Sequence, residues 1–196
     1  MGVWLFPASE GGFRAAGTYL LHVELGQPTQ IIFGKFQEGR VWEMPAGSYV
    51  YVGSALGDRG AMTLPRRLMR HASRSASRPP HPIRAELAQA FANVGLARLA
   101  QPPQRAKRLY WHVDYLLDDV AANLADVAVI GDGWRRESEW AQWLAAQPSL
   151  HLIAPGLGAR DLPGETHLWR LSEAGWWQTA VIPHCRSSKR AHEEKM

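Results

Sequence analysis

Apolar and β-forming residues alternate over 17–25, break at Gly26-Gln27-Pro28 and resume over 30–36, a pattern that predicts a β-hairpin. A third strand is predicted over 48–53, ending at a glycine. Leu64, Leu68 and Ala72 recur at helical spacing around Pro65, with Arg67, Arg70, His71 and Arg74 on the other side, so a basic amphipathic helix should follow. The Ala-rich stretch 83–99, between the loops 73–82 and 101–104, carries the stripe Ile83, Leu87, Ala90, Phe91 and Val94 and reads as an inserted helix. Val113, Leu116, Leu117, Val120 and Leu124 predict another helix, with Asp114 as a structural carboxylate in its first turn. A short strand over 127–130, a helix over 137–147 with Trp140, Trp143 and Leu144 on its apolar face, and strands over 150–153 and 166–171 complete the pattern. The expected fold class is α/β: a small, mainly antiparallel sheet of about five strands flanked by helices, with one inserted helix. Residues 1–16 read as an N-terminal extension, 17–176 as the domain with an insertion at about 75–105, and 177–196 as a polar tail, unstructured from Ser187.

A chain of 196 residues, 46% hydrophobic, can bury one sizeable core. The single Cys185, in the polar tail, excludes an internal disulfide framework and fits a reducing compartment. With neither a secretory leader pattern nor a window near the roughly 18 apolar residues of a membrane span, a cytoplasmic location away from membranes is expected. The net charge of +4 is modest, but its distribution is not even. Arg59, Arg66, Arg67, Arg70, Arg74, Arg78 and Arg84 fall in one stretch with no Asp or Glu among them. Such a run attracts phosphates by releasing counterions, which makes Arg59, Arg66, Arg70, Arg74 and Arg78 candidate nucleic-acid contacts; the plain alternative is a solvated Arg-rich surface.

Taken singly, Tyr19 and Tyr51 would be sheet packing, Arg67 a surface cation and Glu139 a solvated helix residue. Their order across four elements changes that reading: Gly17-Thr-Tyr19, Tyr51-Val-Gly53, Arg67-Leu-Met-Arg-His71 and Glu139-Trp-Ala-Gln-Trp-Leu144. With these the chain resembles the GIY-YIG nuclease superfamily over roughly 17–171. Within it, the chain is similar to a prokaryotic subgroup sometimes fused to endonuclease III, through Tyr51-Val-Gly-Ser-Ala55, Arg70-His71, Trp111-His-Val-Asp-Tyr-Leu-Leu117 and His167 of Thr166-His-Leu168. It departs in having Gly-Thr-Tyr as its first motif, and in holding Ser138 and the run 156–162 where the subgroup carries cysteines.

The resemblance implies a metal-dependent endonuclease that hydrolyses DNA by water attack with little sequence specificity. It makes Tyr19 the general base, Tyr51 the group that orients water or phosphate, and Glu139 the single protein ligand of Mg²⁺ or Mn²⁺, an arrangement suited to a hard ion that keeps most of its waters. A phenol titrates near pH 10, so Arg67 would have to stabilise the phenolate as well as grip phosphate oxygens. His71, one turn after Arg67, would relay a proton or touch the phosphate; its alternative use is to close the helix. His112 and Asp114 splay apart at a helix start and are not expected to share a metal. Two rival readings are a nucleic-acid-binding module without catalysis and a protein-interaction domain using the Trp-rich surface; Trp176-Trp177 would stack on bases, form a dimer surface or pack near the terminus.

Overall fold

Nearly every position over 17–25 is buried, so a strand made of these residues belongs in the middle of a sheet covered on both faces. That is its place in the computed structural model, which describes residues 2–7, 12–159 and 164–193, with side chains as far as 187. The strands are β1 (Gly2–Pro7), β2 (Gly17–Leu25), β3 (Thr29–Ile32), β4 (Val41–Met44), β5 (Gly47–Ala55), β6 (Ala122–Gly131), β7 (Leu150–Leu152) and β8 (Leu168–Leu171). The helices are α1 (Leu64–His71), α2 (Ile83–Asn93), α3 (His112–Asp118), α4 (Glu137–Ala145) and α5 (Ile182–Glu193). Six strands form one sheet in the order β1-β6-β2-β5-β8-β7, with β1 and β6 parallel and the other neighbours antiparallel, and β3 pairs with β4 in a separate ribbon. The α/β class with a mainly antiparallel sheet flanked by helices is therefore the observed one.

Side chains on alternate positions feed two cores. Tyr19, Leu21, Tyr51, Val127 and Val129 face α1, α2, α3 and the β3–β4 ribbon, whereas Leu20, Val50, Val52 and Ala128 face Trp140, Trp177 and the helices α4 and α5. The inserted helix α2 covers the β1–β6 side of the first core through Ile83, Leu87 and Phe91.

Several expectations need correction. The strand over 17–25 does not form a hairpin with 30–36: β2 pairs with β5 and β6, while the half-exposed Thr29–Ile32 pairs with Val41–Met44. Residues 1–16 are more than an extension, because β1 joins the sheet, with Val3 and Leu5 packed on the first core and Trp4 and Phe6 on the second. The helix around Val113 stops at Asp118; Val120 is solvent-exposed, and Leu124 is buried in β6. The polar tail is folded as far as Glu193. Val181, Ile182 and Cys185 make a narrow apolar stripe, at spacings of one and four, that docks on the second core amid polar neighbours. Trp176 and Trp177 are buried there too, Trp177 stacked on His22 and Trp176 on Trp143. Residues 160–162, part of the run singled out above, lie outside the described residues. No helix among the described residues is long and apolar enough to cross a membrane.

Candidate active site

Strand register places the two tyrosines. Tyr19 lies opposite Gly53 and Leu21 opposite Tyr51, so both phenols project from the same sheet face as diagonal neighbours, ring centroids 6.3 Å apart. A Cβ at position 53 would sit 2.6 Å from the Tyr19 hydroxyl oxygen, so the glycine is what lets that ring lie across β5. Helix α1 closes over this face. Its start is fixed by Thr63, whose hydroxyl accepts the Arg66 amide at 3.4 Å, and by proline in the first turn.

His71, at the end of α1, is fully buried and connects two elements. Its Nε2 lies 2.9 Å from the Tyr19 hydroxyl and its Nδ1 3.2 Å from Asp114 Oδ1. Asp114 is itself fully buried, accepts the amides of Tyr110 and Trp111 at 3.0 Å each, pairs with Arg70 at 2.9 Å and lies 3.8 Å from Lys107 Nζ. Burial works against its charge, but the His71 bond and the Lys107 and Arg70 cations hold the carboxyl well below its ordinary range. An ionised carboxylate only accepts, so the His71 proton belongs on Nδ1, and Nε2 is left to accept from the Tyr19 hydroxyl. Burial lowers the His71 pKa to about 4 despite Asp114, and lowers that of Lys107 to about 8. The imidazole is thus neutral at pH 7.

Beside this relay is a cleft of about 140 Å³ lined by Tyr51, Ser54, Arg67, Trp111, Glu137 and His167, among others. The Arg67 guanidinium lies 4.2 Å over the Trp111 ring and donates from Nη1 to the Ser54 carbonyl at 2.6 Å, which fixes its head at the cleft. Tyr51 is in the wall, and Tyr19 lies behind it, 1% exposed. Both phenols titrate above the ordinary tyrosine value. Burial is the chief cause and Glu137 adds to it, while Arg67 opposes the shift without cancelling it. The expected lowering by Arg67 is therefore insufficient by itself, and a Tyr19 acting as a base would need a partner that takes its proton. His71 is placed to do so.

The carboxylate in the cleft is Glu137, not Glu139. Residues two apart on a helix do not share a face. Glu139 is 60% exposed and pairs only loosely with Arg136 at 3.5 Å, whereas Glu137 is 14% exposed with Oε1 3.1 Å from His167 Nδ1. The start of α4 is aimed by the Arg136 amide, which donates to the Thr18 hydroxyl at 2.9 Å, and by Asp132, which binds Arg136 Nε at 2.6 Å. His167 also lies 2.9 Å from Glu165, which accepts from Ser138 at 2.6 Å. Burial opposes a charge on His167, but the two carboxylates outweigh it and raise its pKa.

The expected basic surface is largely spent inside the fold. Arg78 is bonded to Asp118 and Ser75, and Arg74 to the carbonyls of Ala122 and Pro79, so neither is an open phosphate contact. Arg70 serves Asp114. Arg59 is fully solvated beside Asp58, and Arg66 contacts the Gln101 carbonyl at 3.4 Å. His81 is buried, accepts the Leu124 amide at 3.0 Å and contacts the Leu117 carbonyl at 2.9 Å; burial pushes its pKa down to about 3. As expected, His112 and Asp114 diverge, His112 Nδ1 accepting the Gly158 amide at 2.9 Å. The bond from Asp114 to His71, the placement of Glu137 in the cleft and the burial of Lys107 beside Asp114 went unread in the sequence. The Trp111-His-Val-Asp114 block and the pair Glu137-Ser-Glu139 were the available signals.

Two buried neutral histidines imply acid sensitivity. His71 and His81 charge readily in the unfolded chain below about pH 6.5, but in the folded chain only near pH 4 and 3. The unfolded state therefore binds more protons over that window, and stability falls as the pH drops. Urea unfolding should lose roughly 2–3 kcal/mol per pH unit between about pH 6 and 5, and His71→Gln should halve that slope. A slope below about 1 kcal/mol per unit would contradict this assignment. Asp114 adds to the loss only below about pH 4, and His167, with a raised pKa, loses its contribution on the alkaline side instead.

No curated protein and no solved structure matches the chain. A family model does match residues 18–189, nearly all of the sheet and both helical layers. That family is described as a domain of unknown function, DUF123, and the chain belongs to it.

Proposed function

We propose that this DUF123 chain is a metal-dependent endonuclease of the GIY-YIG type, cutting DNA phosphodiesters by direct water attack. The observation that carries the reading is the Tyr19–His71–Asp114 chain of hydrogen bonds set beside a cleft lined by Arg67, Arg135 and the carboxylate of Glu137. Phosphodiester hydrolysis needs a sink for the water proton, a cation for the non-bridging oxygens and stabilisation of the leaving oxygen.

The residues divide these tasks. Tyr19 takes the proton of the attacking water as its own hydroxyl proton passes to His71 Nε2, and the resulting imidazolium is stabilised by Asp114 across Nδ1. Arg67 faces the phosphate oxygens with a guanidinium fixed on Trp111. Tyr51, in the cleft wall, orients water and phosphate.

Among the described residues, Glu137 is the one acidic residue lining the cleft, and no group of three or more metal-ligating side chains occurs. That donor set does not suit an ion caged by protein ligands. It suits a hydrated Mg²⁺ or Mn²⁺ held by one carboxylate, because such an ion keeps most of its waters. When bound, the ion would neutralise developing phosphate charge and lower the pKa of a bound water.

Tyr19→Phe removes one hydroxyl from a packed ring. Single-turnover cleavage should fall by about 100-fold or more, while stability drops by only about 1–3 kcal/mol, the cost of leaving the buried His71 Nε2 unpaired. Cleavage at the wild-type rate would remove Tyr19 from the proton path.

A further inference from the structure

Next to the cleft, sharing Arg67 and Trp111 with it, runs a much larger groove of about 1110 Å³. One wall is α1, and the other is the irregular segment 101–111. The walls are tied together: Arg66 donates to the Gln101 carbonyl at 3.4 Å and Arg70 to the Arg108 carbonyl. The groove is thus part of the fold. No acidic side chain lines it among the described residues, whereas Arg66, Arg105 and Arg108 do. Arg105 and Arg108 are exposed, and neither has an acidic partner among the ion pairs of the described residues. Lys107, between them in sequence, turns inward to the Ser73 carbonyl at 2.9 Å. Tyr110, on the same wall, is 47% exposed, and its ring meets Trp111 edge-on, centroids 5.2 Å apart.

We propose that this groove binds an unpaired DNA strand and feeds it into the cleft. Cations without acidic neighbours provide the attraction for a phosphate backbone, and the half-exposed Tyr110 side chain offers an aromatic platform for a base. Stacking on that ring requires a base released from its own helix, so the groove selects single-stranded over duplex DNA. The shared Arg67 and Trp111 carry the strand from binding to chemistry, the one respect in which this assignment rests on the nuclease reading.

The test is fluorescence anisotropy in EDTA with a short labelled oligonucleotide, single-stranded or annealed to its complement, over a series of salt concentrations. The wild type is expected to prefer the single strand. Tyr110→Ala should weaken single-strand binding by about 5-fold or more, leave duplex binding unchanged, and leave the unfolding midpoint where it was. Joint Arg105→Ala and Arg108→Ala replacement should lower the salt slope by about 1.4. Equal affinity for duplex, or wild-type single-strand affinity in Tyr110→Ala, overturns the proposal. A cleavage assay in Mg²⁺ separates the two readings. Groove-dependent binding without cutting leaves the groove standing and removes the nuclease, whereas cutting with no effect of Tyr110→Ala on binding does the reverse.

Discussion

Glu137→Gln is expected to reduce DNA cleavage on the order of 1,000-fold, while Glu139→Ala stays within a few-fold of wild type, when both are assayed under single turnover in Mg²⁺. The two residues are one position apart from being neighbours, and both lie in the first turn of α4, where a carboxylate is favoured by the helix dipole. Only Glu137 reaches the cleft, so only its loss removes the carboxylate proposed to hold the metal. Glutamine keeps the shape and a contact to His167, so an unfolding midpoint close to wild type should accompany the loss of turnover. DNA affinity should hold or rise, because a negative charge facing phosphate is gone. The opposite ranking, with Glu139→Ala inactive and Glu137→Gln active, would overturn the assignment of α4.

Asp114→Asn is expected to be the most destabilising of the polar substitutions near the site. It leaves Arg70 and Lys107 without the carboxylate they share, and Lys107 is 1% exposed. Breaking a buried pair in this way costs about 3–5 kcal/mol, which lowers the thermal midpoint by roughly 10 °C in a chain of this size. An asparagine amide also donates to His71, which moves the imidazole proton to Nε2 and blocks transfer from Tyr19. Turnover should therefore fall by about 100-fold or more even well below the unfolding transition. A midpoint within about 2 °C of wild type would show that the carboxylate is not the anchor of these cations.

Much of this architecture is legible in the sequence, because its strongest signals are local. Strands β2 and β5 are apolar on both faces, α1 carries a proline in its first turn, and α4 has its tryptophans on one side. Pairing was not legible. The strand over 17–25 fits a hairpin with its nearest successor, but burial of nearly every position on both its faces requires β5 and β6 as neighbours instead, and that is a property of the whole sheet. The C-terminal helix was hidden because Val181, Ile182 and Cys185 form a stripe too narrow to stand out among polar residues.

For the site, Tyr19, Tyr51, Arg67 and His71 were read correctly as neighbours: the structure brings all four to one face. Asp114 reads as a structural carboxylate in the first turn of its helix, where one oxygen does accept the Trp111 amide, but its other oxygen lies against His71, 43 residues away in sequence. Arg70 and Arg78 looked free because their acidic partners, Asp114 and Asp118, lie on α3 outside the arginine run.

The most direct test of the central claim is incubation of the purified chain with end-labelled single-stranded, duplex and branched DNA in Mg²⁺, Mn²⁺ or EDTA, with Glu137→Gln run beside it. The account predicts cleavage by wild type only, dependent on the divalent ion, with a preference for substrates that carry an unpaired strand. Salt-dependent binding without cleavage of any substrate would contradict it and leave a nucleic-acid-binding module in place of a nuclease.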